Sequence, residues 1–468
     1  MEGTLLSVVF DFGFARTPNQ PRHRRRGVSA SQDSLTIAFV QILISAGEAS
    51  GEMYGAQLIE ALRRAYFHVG TAAPGCPARQ SSAEEPTTPT KAGSLEFFGV
   101  GGDRMRAAGC DTVVDAKDLS VVGITEILSH LPKIYGLYRR LISEADRRKP
   151  DLAIVIDSPA FNWRVARQMK GRGISVVYYV APQFWAWRQG RVRLLRDYID
   201  KALVIFPFEE KFYRERGVDA TFVGHPLAEL PPAAIDRSEY AAQFHLDPGK
   251  QWITLMPGSR VKEVRMNLPT LLDAAAQLGA DYEFLLPVAP TLDRAFVKKL
   301  VGKHGIALVP ESLPALWHSR AGIIASGTAT VEAAMMRTPF VMVYRVSSLT
   351  YRLGKPRVKV PHFAMVNLIA GEEVVPELVQ QDFTAANVVA RLQEILPDGA
   401  ARDRMLAALA EVKARLRAPA SGNTEPAQSP ADRAAASICS ILSSSIVNSS
   451  THNSSIPTRK SQLENREI

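Results

Sequence analysis

Two stretches of this chain have the residue types and spacing of a reactive cleft. Asp157-Ser158-Pro159-Ala160-Phe161-Asn162 follows directly on an apolar run at 152–156. Pro182-Gln183-Phe184-Trp185-Ala186-Trp187-Arg188 follows a second run at 174–180. A carboxylate at the end of a buried strand is placed to act as a general base, provided its surroundings tune its pKa near a reacting hydroxyl. Asp157 meets that description, and it equally fits a cap on the helix that starts near Phe161. Two Trp, a Phe and an Arg make a surface that can hold sugar rings, acyl chains or a membrane interface. Core packing is the common fate of a single Trp. Trp185 and Trp187 cannot both face inward from one helix face, so at least one is expected in the cleft or at its rim.

Five further constellations open helices or interrupt apolar segments. Ser45-Ala46-Gly47-Glu48-Ala49-Ser50-Gly51-Glu52 follows the first strand; its small residues let a ligand approach the backbone. It lacks dinucleotide-type glycine spacing, Glu48 and Glu52 would repel a pyrophosphate, and a tight turn capped by Ser50 explains it as well. Gly99-Val100-Gly101-Gly102 resembles a phosphate loop but is short. Met256-Pro257-Gly258-Ser259-Arg260, with Glu263 beyond, runs a strand into a helix start. Backbone N–H groups and a guanidinium there suit a diphosphate, and a cation at a helix N-terminus is otherwise slightly unfavourable. Ser326-Gly327-Thr328-Ala329-Thr330-Val331-Glu332 can hold phosphate oxygens while Glu332 takes vicinal ribose hydroxyls. A capping box returning from Glu332 explains part of the same pattern. Asn367 and Glu373 punctuate the apolar segment 365–377, which alone reads as a helix packed on a sheet.

Alternating strands and helices must position these groups. Strands are expected at 36–45, 97–100, 152–156, 174–180, 202–206 and 220–223, with helices at 52–66, 124–148, 161–172, 188–197 and 209–216. A second block has strands at 252–256, 282–286, 306–309, 321–325 and 339–343. Its helices fall at 261–278, 291–304, 312–318, 328–336, 384–396, 399–417 and 430–443. Such alternation implies parallel sheets covered on both faces. The expected organisation is α/β: two doubly wound, Rossmann-like domains at 35–223 and 233–442, facing a central cleft across a proline-rich hinge at 224–232. Residues 1–34 read as a disordered extension, 69–94 as a flexible insertion and 443–468 as a disordered tail.

Bulk properties agree with that plan. A chain of 468 residues exceeds one ordinary core, and 46% hydrophobic with 22% charged residues is a globular profile. No apolar run approaches the roughly 20 residues that span a bilayer. Cys76, Cys110 and Cys439 are scattered and odd in number, which argues against a disulfide framework or zinc site and fits a reducing cytoplasm. The net charge of +9 fits nucleic acid, anionic membrane or phosphorylated substrates, and part of it lies in the Arg22–Arg26 region of the N-terminal arm.

Taken together these motifs resemble the lipid-A-disaccharide synthase family, inverting glycosyltransferases of the GT-B fold. The resemblance runs through residues 37–443 in family order and is most specific in Pro182-Gln183-Phe184-Trp185-Ala186-Trp187-Arg188 and Asn367-Leu368-Ile369-Ala370-Gly371. It implies transfer from UDP-2,3-diacylglucosamine to 2,3-diacylglucosamine 1-phosphate, giving a β(1′→6) disaccharide 1-phosphate and UDP with inversion. It implies Asp157 as the base. Gly258, Ser259, Arg260, Ser326, Gly327, Thr328 and Glu332 would lie on the UDP side. Glu48, Ser50, Glu52, Asn162, Gln183, Trp185, Trp187, Arg188, Asn367 and Glu373 would lie along the acceptor and cleft. No metal or other cofactor is expected, because helix N-termini and Arg can neutralise the departing diphosphate.

Acylated glucosamine lipids, the inner face of a Gram-negative-type inner membrane, and a homodimer with exchanged C-terminal segments are the partners it implies; nucleic acid is not. The stretch 419–430 would be the hinge of that exchange. Glu52 stands where the family usually has Asp, and the N-terminal extension and 69–94 insertion are unusual. Another UDP-sugar GT-B enzyme, an epimerase or a peptidoglycan-type transferase, would use the same Arg260 and Glu332 with a different first domain. A nucleic-acid-binding arm and a degenerate paralogue are weaker rivals, the second because Asp157, Arg260 and Glu332 occur together.

Overall fold

The computed structural model describes residues 40–47, 49–71, 94–119, 124–187, 189–229, 235–348, 351–352, 360–418 and 428–451. The expected N-terminal extension, most of the 69–94 insertion, 230–232 of the hinge, most of 419–430 and the tail beyond Thr451 lie outside them.

The first half builds a seven-stranded sheet from Val40–Ala46 (β1), Leu95–Gly101 (β2), Cys110–Asp115 (β3), Leu152–Ile156 (β4), Ser175–Tyr179 (β5), Lys201–Val204 (β6) and Ala220–Phe222 (β7). Its order is β3-β2-β1-β4-β5-β6-β7, and every pairing is parallel. The second half builds a six-stranded parallel sheet from Gln251–Met256 (β8), Tyr282–Pro287 (β9), Ile306–Val309 (β10), Ala321–Ala325 (β11), Phe340–Tyr344 (β12) and Glu377–Val379 (β13), in the order β10-β9-β8-β11-β12-β13. Strands β4 and β11 are buried at every position, as strands covered on both faces must be.

Helices of the first half are Ala49–Thr71 (α1), Asp103–Ala107 (α2), Ile124–Arg148 (α3), Pro159–Gly171 (α4), Phe184–Trp187 (α5), Val192–Tyr198 (α6) and Pro207–Arg214 (α7). Those of the second are Arg237–Phe244 (α8), Val261–Leu278 (α9), Arg294–Val301 (α10), Ser312–His318 (α11), Ala329–Met335 (α12), Met365–Ala370 (α13), Ala385–Ile395 (α14) and Ala400–Arg415 (α15). A last helix, Pro430–Thr451 (α16), closes the described chain.

Two strands escape the sequence pattern. Strand β3 is an edge strand in which only Cys110, Val113 and Val114 are buried, so it has no continuous apolar run. Strand β13 is three residues long and begins with Glu377. The helix expected at 188–197 is a 3-10 turn, Gln189–Arg191, followed by α6.

The final helix departs from the expected domain boundary. Residues 430–442 were expected in the second domain, but α16 packs along α1 of the first. Ala431, Ala434, Ala435, Ile438 and Leu442 supply its buried stripe at helical spacing. Arg64 pairs with Asp432 at 2.8 Å across this contact. Arg433 donates to the Val223 carbonyl at 2.7 Å and to Glu229 at 3.3 Å, and the His225 N–H donates to the Leu416 carbonyl at 2.8 Å. The chain therefore crosses back and ties down the connection between its own two halves. Helix α16 also continues to Thr451, past the expected start of the tail at 443.

Candidate functional site

In an open parallel sheet, ligands bind beyond the C-terminal strand ends where strand order reverses. Here the reversals fall between β1 and β4 and between β8 and β11. The motifs after those four strands are the 45–52 turn, the Asp157 turn, the Gly258-Ser259-Arg260 turn and the Ser326-Gly327-Thr328 turn.

Asp157 and Ser158 both adopt left-handed backbone conformations, with φ of 48° and 45°. For non-glycine residues this costs about 1–3 kcal/mol each, and such turns persist only where surrounding contacts enforce them. Those contacts are present. The buried Asn162 amide donates to the carbonyls of Ile156 at 2.9 Å, Asp157 at 2.8 Å and Ser45 at 3.2 Å, while its oxygen accepts from the Ser45 hydroxyl at 2.7 Å. The Tyr178 hydroxyl donates to the Asp157 carbonyl at 2.7 Å. Asn162 is thus not exposed to an acceptor; it braces the turn that presents Asp157. The N-cap position of α4 is Ser158, which makes no side-chain cap bond.

The 45–52 turn divides its expected roles. Ser50 is exposed inside α1 and is not its cap. Glu52 reaches across to α2, where its carboxylate accepts the Arg104 N–H at 2.7 Å. A Cβ on Gly102 would lie 2.6 Å from that carboxylate, so glycine is required for the approach. The loop resembling a phosphate site is therefore filled by the protein's own anion. Glu52 braces it, and its extra methylene relative to Asp is used in the reach. Glu48 lies outside the described residues.

The aromatic stretch also turns inward. Trp185 is buried, its indole N–H donates to Glu209 at 2.8 Å, and its ring meets Phe208 edge-on with centroids 4.9 Å apart. Glu209 is fully enclosed and also accepts the N–H groups of Phe206 at 3.0 Å and Ile205 at 3.2 Å. Burial pushes its carboxyl up from 4.5 to about 7, against the pull of those donors. Gln183 is exposed. The Trp187 side chain and Arg188 lie outside the described residues.

On the second sheet, Gly258 has φ of 125°, which only glycine tolerates freely. The next N–H, that of Ser259, donates to Glu263 at 3.0 Å, and the half-exposed Arg260 pairs with the same carboxylate at 2.9 Å. Glu263 thus already rests where an N–H and a guanidinium converge on an anion. Buried Asn267 donates to the Pro257 carbonyl at 2.8 Å and holds this turn from behind. The Ser326 hydroxyl donates to the Phe363 carbonyl at 2.7 Å, while Gly327 and Thr328 are exposed. Thr328 makes no side-chain cap, and Glu332 accepts the Ser312 hydroxyl at 2.6 Å, so no capping box forms. Burial raises the Glu332 carboxyl above its ordinary value.

Tyr54 on α1 links the two halves electrostatically. Its hydroxyl holds its proton more tightly mainly because it is buried, with smaller contributions from the negative charges of Asp157 and Glu332.

Asn367 is fully buried. It donates to the Val375 carbonyl at 2.9 Å and Glu377 at 2.8 Å, and accepts the N–H groups of Val374 and Val375 at 2.9 and 3.0 Å. The expected cleft asparagine is a brace. Its partner Glu377 also accepts the N–H groups of Phe363 and Ala364 at the start of α13. Glu373 is exposed and is not brought to these groups. Glu209, Asn267 and Glu377 were missed as site-building residues. A polar side chain set among apolar neighbours was the available signal at Glu377 and Asn267; nothing local marked Glu209.

Two facing parallel sheets with their turns at the switch points define a GT-B type fold. Solved structures agree: a putative UDP-N-acetylglucosamine 2-epimerase from Listeria monocytogenes superposes at TM-score 0.53 and 13% identity, over 88% of this chain and 98% of that one. The glycotransferase of kitacinnamycin does so at 0.53 and 13%, over 86% and 100%. The lipid-A-disaccharide synthetase profile matches residues 42–422, and the chain belongs to that family. The lipid-A-disaccharide synthase of Koribacter versatilis is 50% identical over 86% of this chain and 98% of its own. That of Acidobacterium capsulatum is 48% identical over 81% and 92%.

The raised carboxyl of Glu209 sets a pH dependence. Between about 4.5 and 7 the folded state keeps a proton that the unfolded state has lost. Its contribution to stability is therefore fully present at low pH and is lost as pH rises through about 7. Relative to Glu209→Gln, which does not titrate, the unfolding free energy of the protein should fall on the order of 3 kcal/mol across that window. Urea unfolding of both proteins at a series of pH values reads the difference.

Proposed function

We propose that the chain condenses UDP-2,3-diacylglucosamine with 2,3-diacylglucosamine 1-phosphate, forming the β(1′→6) lipid A disaccharide 1-phosphate and UDP. Membership in the lipid-A-disaccharide synthetase family supports the reaction. The observation that supports the residue roles is the placement of the strained Asp157 turn and the Gly258-Ser259-Arg260 turn at the switch points of the two sheets.

In this reading Asp157 takes the proton of the acceptor hydroxyl as that oxygen attacks the anomeric carbon. The bond to the UDP oxygen breaks on the opposite face, which inverts the α-linked donor to a β product. Negative charge grows on the departing diphosphate. Arg260 and the Ser259 N–H receive it, displacing the internal Glu263 carboxylate, and the Ser326-Gly327-Thr328 turn supplies further N–H groups. Glu332 holds the ribose hydroxyls. The strained turn at Asp157 keeps the base at a fixed position and avoids reorganisation during the reaction.

The substrates' acyl chains place the enzyme at a membrane surface. In this reading attachment is peripheral, on the cytoplasmic face of the inner membrane, through the acyl chains and the protein's positive charge; among the described residues no helix is long and apolar enough to cross a bilayer. The contact of α16 with α1 can be made equally between two copies, as an exchanged dimer requires.

Purified protein given a radiolabelled diacylated UDP-sugar and its 1-phosphate partner should yield the labelled disaccharide; turnover of UDP-N-acetylglucosamine alone would instead mark an epimerase-type enzyme. Asp157→Ala should lower turnover by about a hundredfold or more, with UDP affinity by calorimetry nearly constant. Arg260→Ala should weaken UDP binding by about tenfold or more, the loss of a charged hydrogen bond. Flotation with anionic vesicles should weaken as salt rises, and sedimentation should show a dimer that is lost when the chain is cut before Pro430.

A further inference from the structure

An apolar cavity of about 240 Å³ lies between the two halves of the molecule. Trp185, Phe208 and Phe212 line it from α5 and α7 of the first half, and Pro361 and Leu368 from the second. It adjoins the nucleotide-side turn, because Phe363, which follows Pro361 and His362, accepts the Ser326 hydroxyl.

Three polar groups of its walls are engaged elsewhere. The Trp185 N–H is given to Glu209, so the indole offers only carbon to the space. His362 directs its Nδ1 toward Glu377, at 3.8 Å. Gln189 donates to the Trp185 carbonyl at 3.0 Å. Water needs two or more polar partners to be stable in such a place, and these walls supply few. A nucleobase or sugar would leave its own polar edges unpaired there. A hydrocarbon chain loses nothing and displaces poorly held water.

The geometry points to this cavity as a subsite for an acyl chain of one of the lipid substrates. The inference rests on the reaction proposed above and adds where a chain lies. Its volume is below the usual range for a whole drug-sized ligand, about 300–1,000 Å³, so it takes one chain end and not a diacyl sugar. Because both halves form its walls, the chain is gripped only when they are together, which couples recognition of the lipid to assembly of the cleft.

Leu368→Trp, which fills the cavity, and Phe212→Ala, which enlarges it, test this. Steady-state kinetics would be run with long-chain and short-chain versions of the donor and, separately, of the acceptor, with UDP affinity measured by calorimetry. Filling should raise KM for the long-chain form of one substrate by about tenfold for every two methylenes kept out. The short-chain form of that substrate and UDP affinity should stay as in the wild type. Enlargement should shift preference toward longer chains. Whichever of donor and acceptor shows the effect owns the chain. Equal effects on long and short chains, or none, with an active wild type would overturn the subsite alone. A wild type that couples neither pair would instead overturn the underlying reaction.

Discussion

The active face of the first half depends on one buried amide. Asn162 binds the ends of β1 and β4 to each other, through Ser45 on one side and Ile156 and Asp157 on the other. These strands flank the reversal of strand order, where a parallel sheet leaves its crevice. Without the amide, several backbone groups would lose their partners at about 1–3 kcal/mol for each buried group left unsatisfied. The two left-handed residues beyond β4 would lose the contacts that hold them. The second half uses the same device. Asn267 holds the Pro257 carbonyl ahead of the Gly258 turn, and Asn367 gathers the backbone of Val374 and Val375 with Glu377. Asn162 and Asn367 work by offering donor and acceptor from one short, stiff side chain, while Asn267 uses its donor.

The internal carboxylates follow a related logic. Glu52 caps α2 and fills the glycine loop that resembles a phosphate site. Glu263 accepts from the corresponding turn of the second half. The difference is Arg260, which pairs with Glu263 and is half exposed. A turn that has an accessible cation beside its N–H groups can exchange its own carboxylate for a more highly charged diphosphate. The loop held by Glu52 has no such cation in its contact with Arg104, which uses its backbone N–H there.

Where the two halves meet, apolar and charged features are set side by side. Glu209 is buried to pin Trp185, and Trp185 with Phe208 then presents a carbon surface to the second half. Burying a carboxyl to orient an indole raises its pKa, and the three N–H donors limit that rise. Helix α16 closes the arrangement by returning to α1, where Asp432 pairs with Arg64, and by binding the crossing segment through Arg433.

Local pattern was enough to read most of this architecture. Runs of apolar residues marked eleven of the strands in their order, because buried parallel strands must be continuously apolar. Glycine and small polar residues after those runs located the turns at both switch points, and the motifs in sequence pointed to the family. The edge strand β3 and the short β13 were hidden because neither is continuously buried. The sequence could not tell which polar residues face a ligand and which hold the frame. Asn162, Asn367 and Glu52 all stood in plausible cleft motifs and are all held by hydrogen bonds to the protein itself, while Trp185 has its N–H bound to Glu209 and its carbon face on the space between the halves. A side chain's role depends on what the folded chain brings against it, and for Asn162 alone those partners lie 5 to 117 residues away in sequence. Only the tertiary structure decided them.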